Sequence, residues 1–241
     1  MQRLLVCSVP CEVGWFVCSA NLQSTLLSIM APILGYWGIR GLAQNIRYVL
    51  LYTGTEYVDK QYTTEWAEDK ENLGLEFPNL PYYIDGDLKI TESGAILKYL
   101  ARKNNLVGST EDERIRLDMA EGILADARRS IVMLCYDPDF ETKKGDFIAN
   151  IDNTLKKLSK LVGSNNYILG DKVMIVDFVL FETLERYVAL VPTCLDSYAN
   201  LQAFHKRIED IPSIKKYRSS PEFAKIKDKF SGPTAKFGSG V

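Results

Sequence analysis

Histidine is almost missing from this chain: 241 residues contain one, His205. That excludes a histidine-rich metal site and a pair of catalytic histidines. Cysteine is also scarce. The five residues are scattered and no C-x-x-C occurs, which argues against a disulfide framework and against a glutaredoxin-type dithiol site. Neither sign of charge prevails. Lys and Arg number 29, Asp and Glu 31, and the net charge of -2 leaves no basic footprint for nucleic acid. No apolar run approaches a membrane span, and no internal repeat or low-complexity tract interrupts the chain. A Gly/Ser-rich C-terminal end is the exception, and it is expected to be mobile. The remainder, 46% hydrophobic and 25% charged, is ordinary for a globular protein and long enough to bury a sizeable core as one or two domains. Cys135 and Cys194 read as reduced thiols of a cytoplasmic protein.

Residues 1–30 differ from the rest. Arg3, apolar stretches broken by Pro10 and Glu12, and then Cys18-Ser19-Ala20 give a faint signal-peptide outline. Glu12 falls where such a segment should be purely apolar. The favoured reading is a dispensable extension, or a start codon assigned upstream of Met30. Secretion is the second reading.

From Ala31 onward the periodicities are clear. Ile33-Leu34 reads as a buried strand ending in a loop at Gly35-Tyr36-Trp37-Gly38, followed by helical spacing of Leu42, Ile46, Val49 and Leu50. Residues 57–62 alternate as a strand, and 63–72 form a loop with a helical turn. Strands at 81–84 and 88–90 flank the tight turn Asp85-Gly86-Asp87. Thr91 is placed to cap a helix over 92–103. This order, strand-helix-strand-helix-strand-strand-helix, is that of a thioredoxin-like α/β domain, assigned to residues 31–105. A linker at 106–112 leads to an all-helical bundle domain over 113–241. Helices are expected at 111–136, 147–162, 177–189, 201–210 and 213–218.

The strand-loop-helix A-P-I-L-G-Y-W-G-I-R-G at residues 31–41 sets the Tyr36 hydroxyl between a strand end and the positive end of a helix. Two further motifs follow, F-P-N-L-P-Y-Y-I-D-G at 77–86 and T-E-S-G-A-I-L-K-Y-L-A at 91–101. With these three in order and compatibly spaced, the chain resembles the glutathione S-transferases from about Met30 to about Ser220. It most resembles the tyrosine-dependent mu class and related flatworm enzymes.

The resemblance implies a transferase whose co-substrate is glutathione, with no metal, and which acts on small hydrophobic electrophiles. Tyr36 then takes the catalytic role. A thiol with a pKa of about 8.5 is only a few per cent ionised near neutral pH, and lowering it by about two units requires about 2.7 kcal/mol of preferential stabilisation of the anion. A neutral phenol, donating while it stays protonated, can supply this. Ser93 is implied to hold the γ-glutamyl carboxylate at the start of its helix. Leu80, before a cis Pro81, is implied to pair with the cysteinyl backbone as an added strand would. Trp66 and Lys70 are implied to meet the glycyl carboxylate, with Asn79 as a further polar contact and Trp37 beside the bound tripeptide. Glu92 stands where mu-class chains carry glutamine. It can pair with the γ-glutamyl amine but would repel the neighbouring carboxylate. Met174, three residues before Asp177, replaces the usual Ser or Thr cap of a helix, at a cost of about 1 kcal/mol.

For the electrophile pocket the resemblance implies Trp37, Gly38 and Ile39 on one side and Met133 and Tyr136 on the other. It also implies a homodimer, in which Phe77 enters an apolar pocket of the second subunit and Asp126 of one chain reaches the glutathione amine in the other. No nucleic-acid or membrane partner is expected. Two other functions stay open on the same fold: a carrier of hydrophobic ligands without turnover, and a sigma-like prostaglandin isomerase.

Overall fold

A computed structural model describes residues 31–240; the readings made for residues 1–30 lie outside them. The sheet is built from β1 (Ile33–Trp37), β2 (Val58–Tyr62), β3 (Tyr82–Asp85) and β4 (Leu88–Thr91), in the order β2-β1-β3-β4. β1 pairs parallel with β2 and antiparallel with β3, with Tyr36 opposite Gln61 and Gly35 opposite Tyr82. β3 and β4 form the expected hairpin. One expectation is corrected here: Gly35, Tyr36 and Trp37 continue the strand and do not form a loop. Gly35 is needed within it because a Cβ there would lie 2.2 Å from the Tyr82 ring on the neighbouring strand.

α1 (Gln44–Tyr52) joins the first two strands and buries every residue from Gln44 to Leu50. A single turn, α2 (Trp66–Asp69), follows β2. α3 (Ser93–Lys103) packs its Ile96, Leu97, Leu100 and Ala101 face inward. Its cap is Glu92, at φ 68, because Thr91 is the last residue of β4. The sequence therefore placed the cap one residue early.

The helical half comprises α4 (Glu111–Tyr136), α5 (Phe140–Val162), α6 (Ile175–Leu190), α7 (Ala199–Glu209), α8 (Pro212–Arg218) and the short α9 (Pro221–Ala224). α4 opens with a capping box, in which the Thr110 hydroxyl accepts the Glu113 N–H and the Glu113 carboxylate accepts the Thr110 N–H. α5 begins seven residues before the sequence suggested. Its first turns expose Glu141, Thr142 and Lys143, so no apolar stripe announces them. α6 is apolar on nearly all sides and runs through the core, as such a helix must. Asp177 orders its start by accepting the N–H groups of Met174 at 2.7 Å and Ile168 at 2.9 Å.

The polar residues that α6 buries are paired. The Arg40 guanidinium meets Glu182 at 2.5 Å and Glu185 at 3.2 Å, and Glu185 also takes Arg218 at 2.6 Å and His205 at 2.7 Å. Burial alone would lift the Glu185 carboxyl. The bond from His205 and the charges of Arg40 and Arg218 outweigh it and hold that carboxyl well below the usual range. Removing one member of such a buried cluster costs about 3–5 kcal/mol.

The C-terminal end is not the free tail that its composition suggested. It crosses back over the molecule, with Lys229 accepting the Arg40 N–H at 2.8 Å and Lys236 donating to the Cys135 carbonyl at 2.6 Å. Ser231 and Gly238 close a loop on themselves, and the Phe237 ring stacks on Phe140. Phe230, Ser231 and Ala235 are buried. These anchors are single aromatic and backbone contacts with no period, which is why no pattern revealed them. Among the described residues no helix is long and apolar enough to cross a membrane.

Candidate active site

Tyr36 sits near the end of β1, is buried, and lines a cavity of about 330 Å3. The chain turns back after the strand, and the Leu42 N–H donates to the Tyr36 hydroxyl oxygen at 3.0 Å. The turn depends on Gly41, at φ +44, where a Cβ would lie 2.5 Å from the Tyr36 hydroxyl. Burial pushes the Tyr36 pKa above its ordinary value, against a smaller lowering by the Leu42 bond. Tyr36 is therefore a neutral phenol at physiological pH. Its oxygen is already satisfied by a backbone donor, and among the described residues nothing accepts its proton.

The cavity beside it is lined by Trp37, Gly38, Ile39, Tyr62 and Tyr136, and on its far side by Gly232 and Pro233 of the C-terminal end. Trp37, Gly38, Ile39 and Tyr136 were named from sequence; the tail residues were not. The Tyr136 hydroxyl accepts the Gly232 N–H at 2.7 Å, so it anchors the tail across the pocket mouth. Met133 does not line this cavity. It lies about one turn before Tyr136 on α4, and is 66% exposed.

The remaining sequence-named residues form a second group. Trp66 stacks on Tyr82 and meets Tyr62 edge-on, and the two tyrosine hydroxyls bond at 2.8 Å. This aromatic cluster fixes the indole at the start of α2. Lys70 follows one turn later, partly exposed, with Glu71 at 3.7 Å as its nearest carboxylate. The Leu80-Pro81 bond is cis, as the resemblance implies. Asn79 is committed at both ends of its amide: it donates to Glu92 at 3.0 Å and accepts the Leu80 N–H at 2.9 Å. The Leu80 N–H is thus already taken by the Asn79 amide oxygen. Glu92 is drawn to Asn79 and stands next to Ser93, the first residue of α3. Asp126 is exposed on α4, and among the described residues no cation pairs with it. Phe77 is 66% exposed, so it is not a core residue of its own chain.

The chain matches a known family. The model of the glutathione S-transferase N-terminal domain matches residues 32–102, and that of the C-terminal domain matches 125–221. The chain is 46% identical over 203 residues to glutathione S-transferase Mu 2 of Macaca fuscata fuscata, covering 80% of this chain and 93% of that one. It is 45% identical over 203 residues to glutathione S-transferase Mu 1 of Mus musculus, with the same coverage. Among solved structures, a pi-class glutathione S-transferase of Onchocerca volvulus superposes with a TM-score of 0.78 at 34% identity, covering 86% of this chain and 100% of that one. The glutathione S-transferase Blo t 8 superposes equally well at 34% identity, covering 86% and 99%. With both halves matched, and with mu-class relatives aligned over nearly their whole length, the chain belongs to the glutathione S-transferases.

Proposed function

We propose that this transferase conjugates the thiol of glutathione to small apolar electrophiles, with Tyr36 as the donor that holds the thiolate. The observation that carries this reading is the Tyr36 hydroxyl itself. It is neutral, its oxygen accepts the Leu42 N–H, and among the described residues nothing accepts its proton where Tyr36 lines a mostly apolar cavity. A hydroxyl that accepts one bond is a better donor of its own proton. The bound thiol loses its proton to solvent, and the thiolate attacks the electrophile while the leaving group departs with its electron pair. Tyr36 stays protonated throughout and stabilises the sulfur anion most before the new carbon–sulfur bond forms.

Glutathione binding is assigned to the second group. Ser93, at the N-terminus of α3, holds the γ-glutamyl carboxylate. The Leu80 carbonyl faces the cysteinyl N–H, and Trp66 and Lys70 take the glycyl carboxylate. Glu92 pairs with the amine, steadied by Asn79, and Trp37 packs alongside. Ile39 and Tyr136 bound the electrophile.

A homodimer completes this site. Phe77 is exposed, and a groove between α3 and α4 offers Ala101, Val107, Leu117 and Ile175 among charged side chains such as Lys98, Arg102 and Glu121. The ring of a second copy fits that chemistry, and the pairing would carry Asp126 to the partner's amine site. Cys135 and Cys194 are free thiols, which supports a reducing, cytoplasmic setting.

The test is conjugation of a chromogenic aryl halide with glutathione by the wild type and by Tyr36→Phe. The variant is expected to bind glutathione normally, to raise the bound thiol's pKa, and to lose about one to three decades of rate near neutral pH. Unchanged thiolate absorbance and turnover would exclude this mechanism. A wild-type chain that binds hydrophobic ligands but never turns over would identify a carrier.

A further inference from the structure

Arg186 lies in the middle of α6, 6% exposed, and no sequence motif singles it out. Its Nη2 carries two hydrogens, and the structure gives each an acceptor: the Phe230 carbonyl at 2.8 Å and the Gly41 carbonyl at 3.2 Å. The Gly41 carbonyl belongs to the same peptide group as the Leu42 N–H. One peptide plane therefore has a guanidinium at its oxygen and the Tyr36 hydroxyl at its nitrogen. A cation on the carbonyl pulls electron density through the amide and strengthens the N–H as a donor, the cooperative effect of chained hydrogen bonds in a low-dielectric site. The second acceptor, Phe230, opens the segment that walls the electrophile cavity, and its ring lies 5.7 Å from the Arg186 guanidinium carbon. Two residues on, Gly232 lines the cavity and is tied to Tyr136. Arg40 cannot replace Arg186 here, since its guanidinium is engaged with Glu182, Glu185 and the Lys227 carbonyl.

We propose that Arg186 is a positioning residue for conjugation: it fixes and polarises the Gly41–Leu42 peptide that holds the Tyr36 hydroxyl, and it pins the Phe230 carbonyl beside the electrophile cavity. One guanidinium thus couples the thiolate side of the reaction to the wall that receives the second substrate. The inference rests on Tyr36 being the thiolate donor. It adds a residue that touches neither substrate.

The experiment compares wild type, Arg186→Met and Tyr36→Phe, each as the full chain. It titrates the bound thiolate against pH and measures KM and kcat with a chromogenic aryl halide. Arg186→Met is expected to raise the bound thiol's pKa by about half a unit to one unit and to lower the rate near neutral pH about threefold to tenfold. The KM for the aryl halide should rise several-fold, while that for glutathione stays within about twofold. A purely structural role for Arg186 would lower the melting temperature without moving the thiol titration. A folded Arg186→Met enzyme with the wild-type titration and aryl-halide KM would overturn the proposal. Should that variant fail to fold, Arg186→Gln decides: it is neutral but still donates to one carbonyl, and a wild-type titration from it overturns the proposal equally. If Tyr36→Phe leaves the titration unmoved, the Tyr36 reading itself has failed. If Tyr36→Phe raises the pKa and Arg186→Met does not, only the role of Arg186 falls.

Discussion

The Leu42 N–H meets the Tyr36 hydroxyl oxygen at 3.0 Å, and the residue that makes this approach possible is Gly41. Its φ of +44 is unfavourable for any side chain, and an added Cβ would sit 2.5 Å from the hydroxyl it helps to place. The hydroxyl's position is therefore set by a backbone turn as much as by the tyrosine.

Gly41→Ala should accordingly impair chemistry more than folding. The methyl group must displace the Tyr36 ring or flatten the turn, and either change lengthens the bond from Leu42. Loss of about 1.4 kcal/mol of transition-state stabilisation corresponds to a tenfold slower reaction, and a loss of that size or greater is expected. The rate-against-pH curve should move to higher pH with it. Stopped-flow measurement of thiolate formation checks this; an alanine variant with wild-type rate and pH profile would show that the turn tolerates the methyl group and that Tyr36 is held by something else.

Much of the candidate site's placement in the fold could be read from the chain, and the part that could not has a common cause. Tyr36, Trp66, Ser93 and Tyr136 lie at element ends or in motifs whose spacing carries information. Gly35 and Gly41 were visible as glycines, but their reasons, the Tyr82 ring and the Tyr36 hydroxyl, come from outside the local segment. Arg186 looks like one more member of the charged group Glu182, Glu185 and Arg186 until the chain end is folded onto it. The tail was read as mobile because glycine and serine set its composition, whereas Phe230 and Phe237 set its packing. The succession of strands and helices along the chain was legible because most of them bury a periodic apolar face. The first turns of α5 were not, since they bury Phe140 and expose the residues after it. Asn79 shows the limit most plainly, because its type and position were readable but not that both ends of its amide are spent on Leu80 and Glu92.

Asp177 gives a prediction in pH. Burial pushes its carboxyl up to about 7, against the lowering effect of the bonds from Ile168 and Met174. In the unfolded chain it titrates near about 4. Between those values the folded protein holds a proton that the unfolded chain has released, so this group's contribution to stability is full at the acid end and is lost as pH rises to about 7. Asp177→Asn lacks that titration. The stability gap between wild type and variant, measured by urea unfolding, should shrink as pH rises through this window and then level off. A gap that is constant across the window would mean that Asp177 is ionised throughout. Asp177→Ala should be worse at every pH, because two buried N–H groups lose their acceptor at about 1–3 kcal/mol each.

Phe77 tests the assembly. Its ring is 66% exposed in a chain that otherwise buries most of its large apolar side chains, and it directly precedes Pro78 and the Asn79 that braces Leu80 and Glu92. Covering such a ring in the groove of a second subunit contributes roughly 2–3 kcal/mol per subunit. Asp126, exposed and with no ion pair among the described residues, would be delivered to the partner's glutathione site by the same contact. Phe77→Ser should therefore weaken the dimer and glutathione binding together, with little change in the fold of each subunit, since the side chain makes no core contact. Asp126→Asn should weaken glutathione binding and leave the dimer intact. Sedimentation at several protein concentrations, run beside glutathione titration, separates the two effects. A Phe77→Ser protein that is fully monomeric yet binds glutathione at wild-type strength would show that each subunit completes its own site, and that neither Phe77 nor Asp126 links assembly to binding.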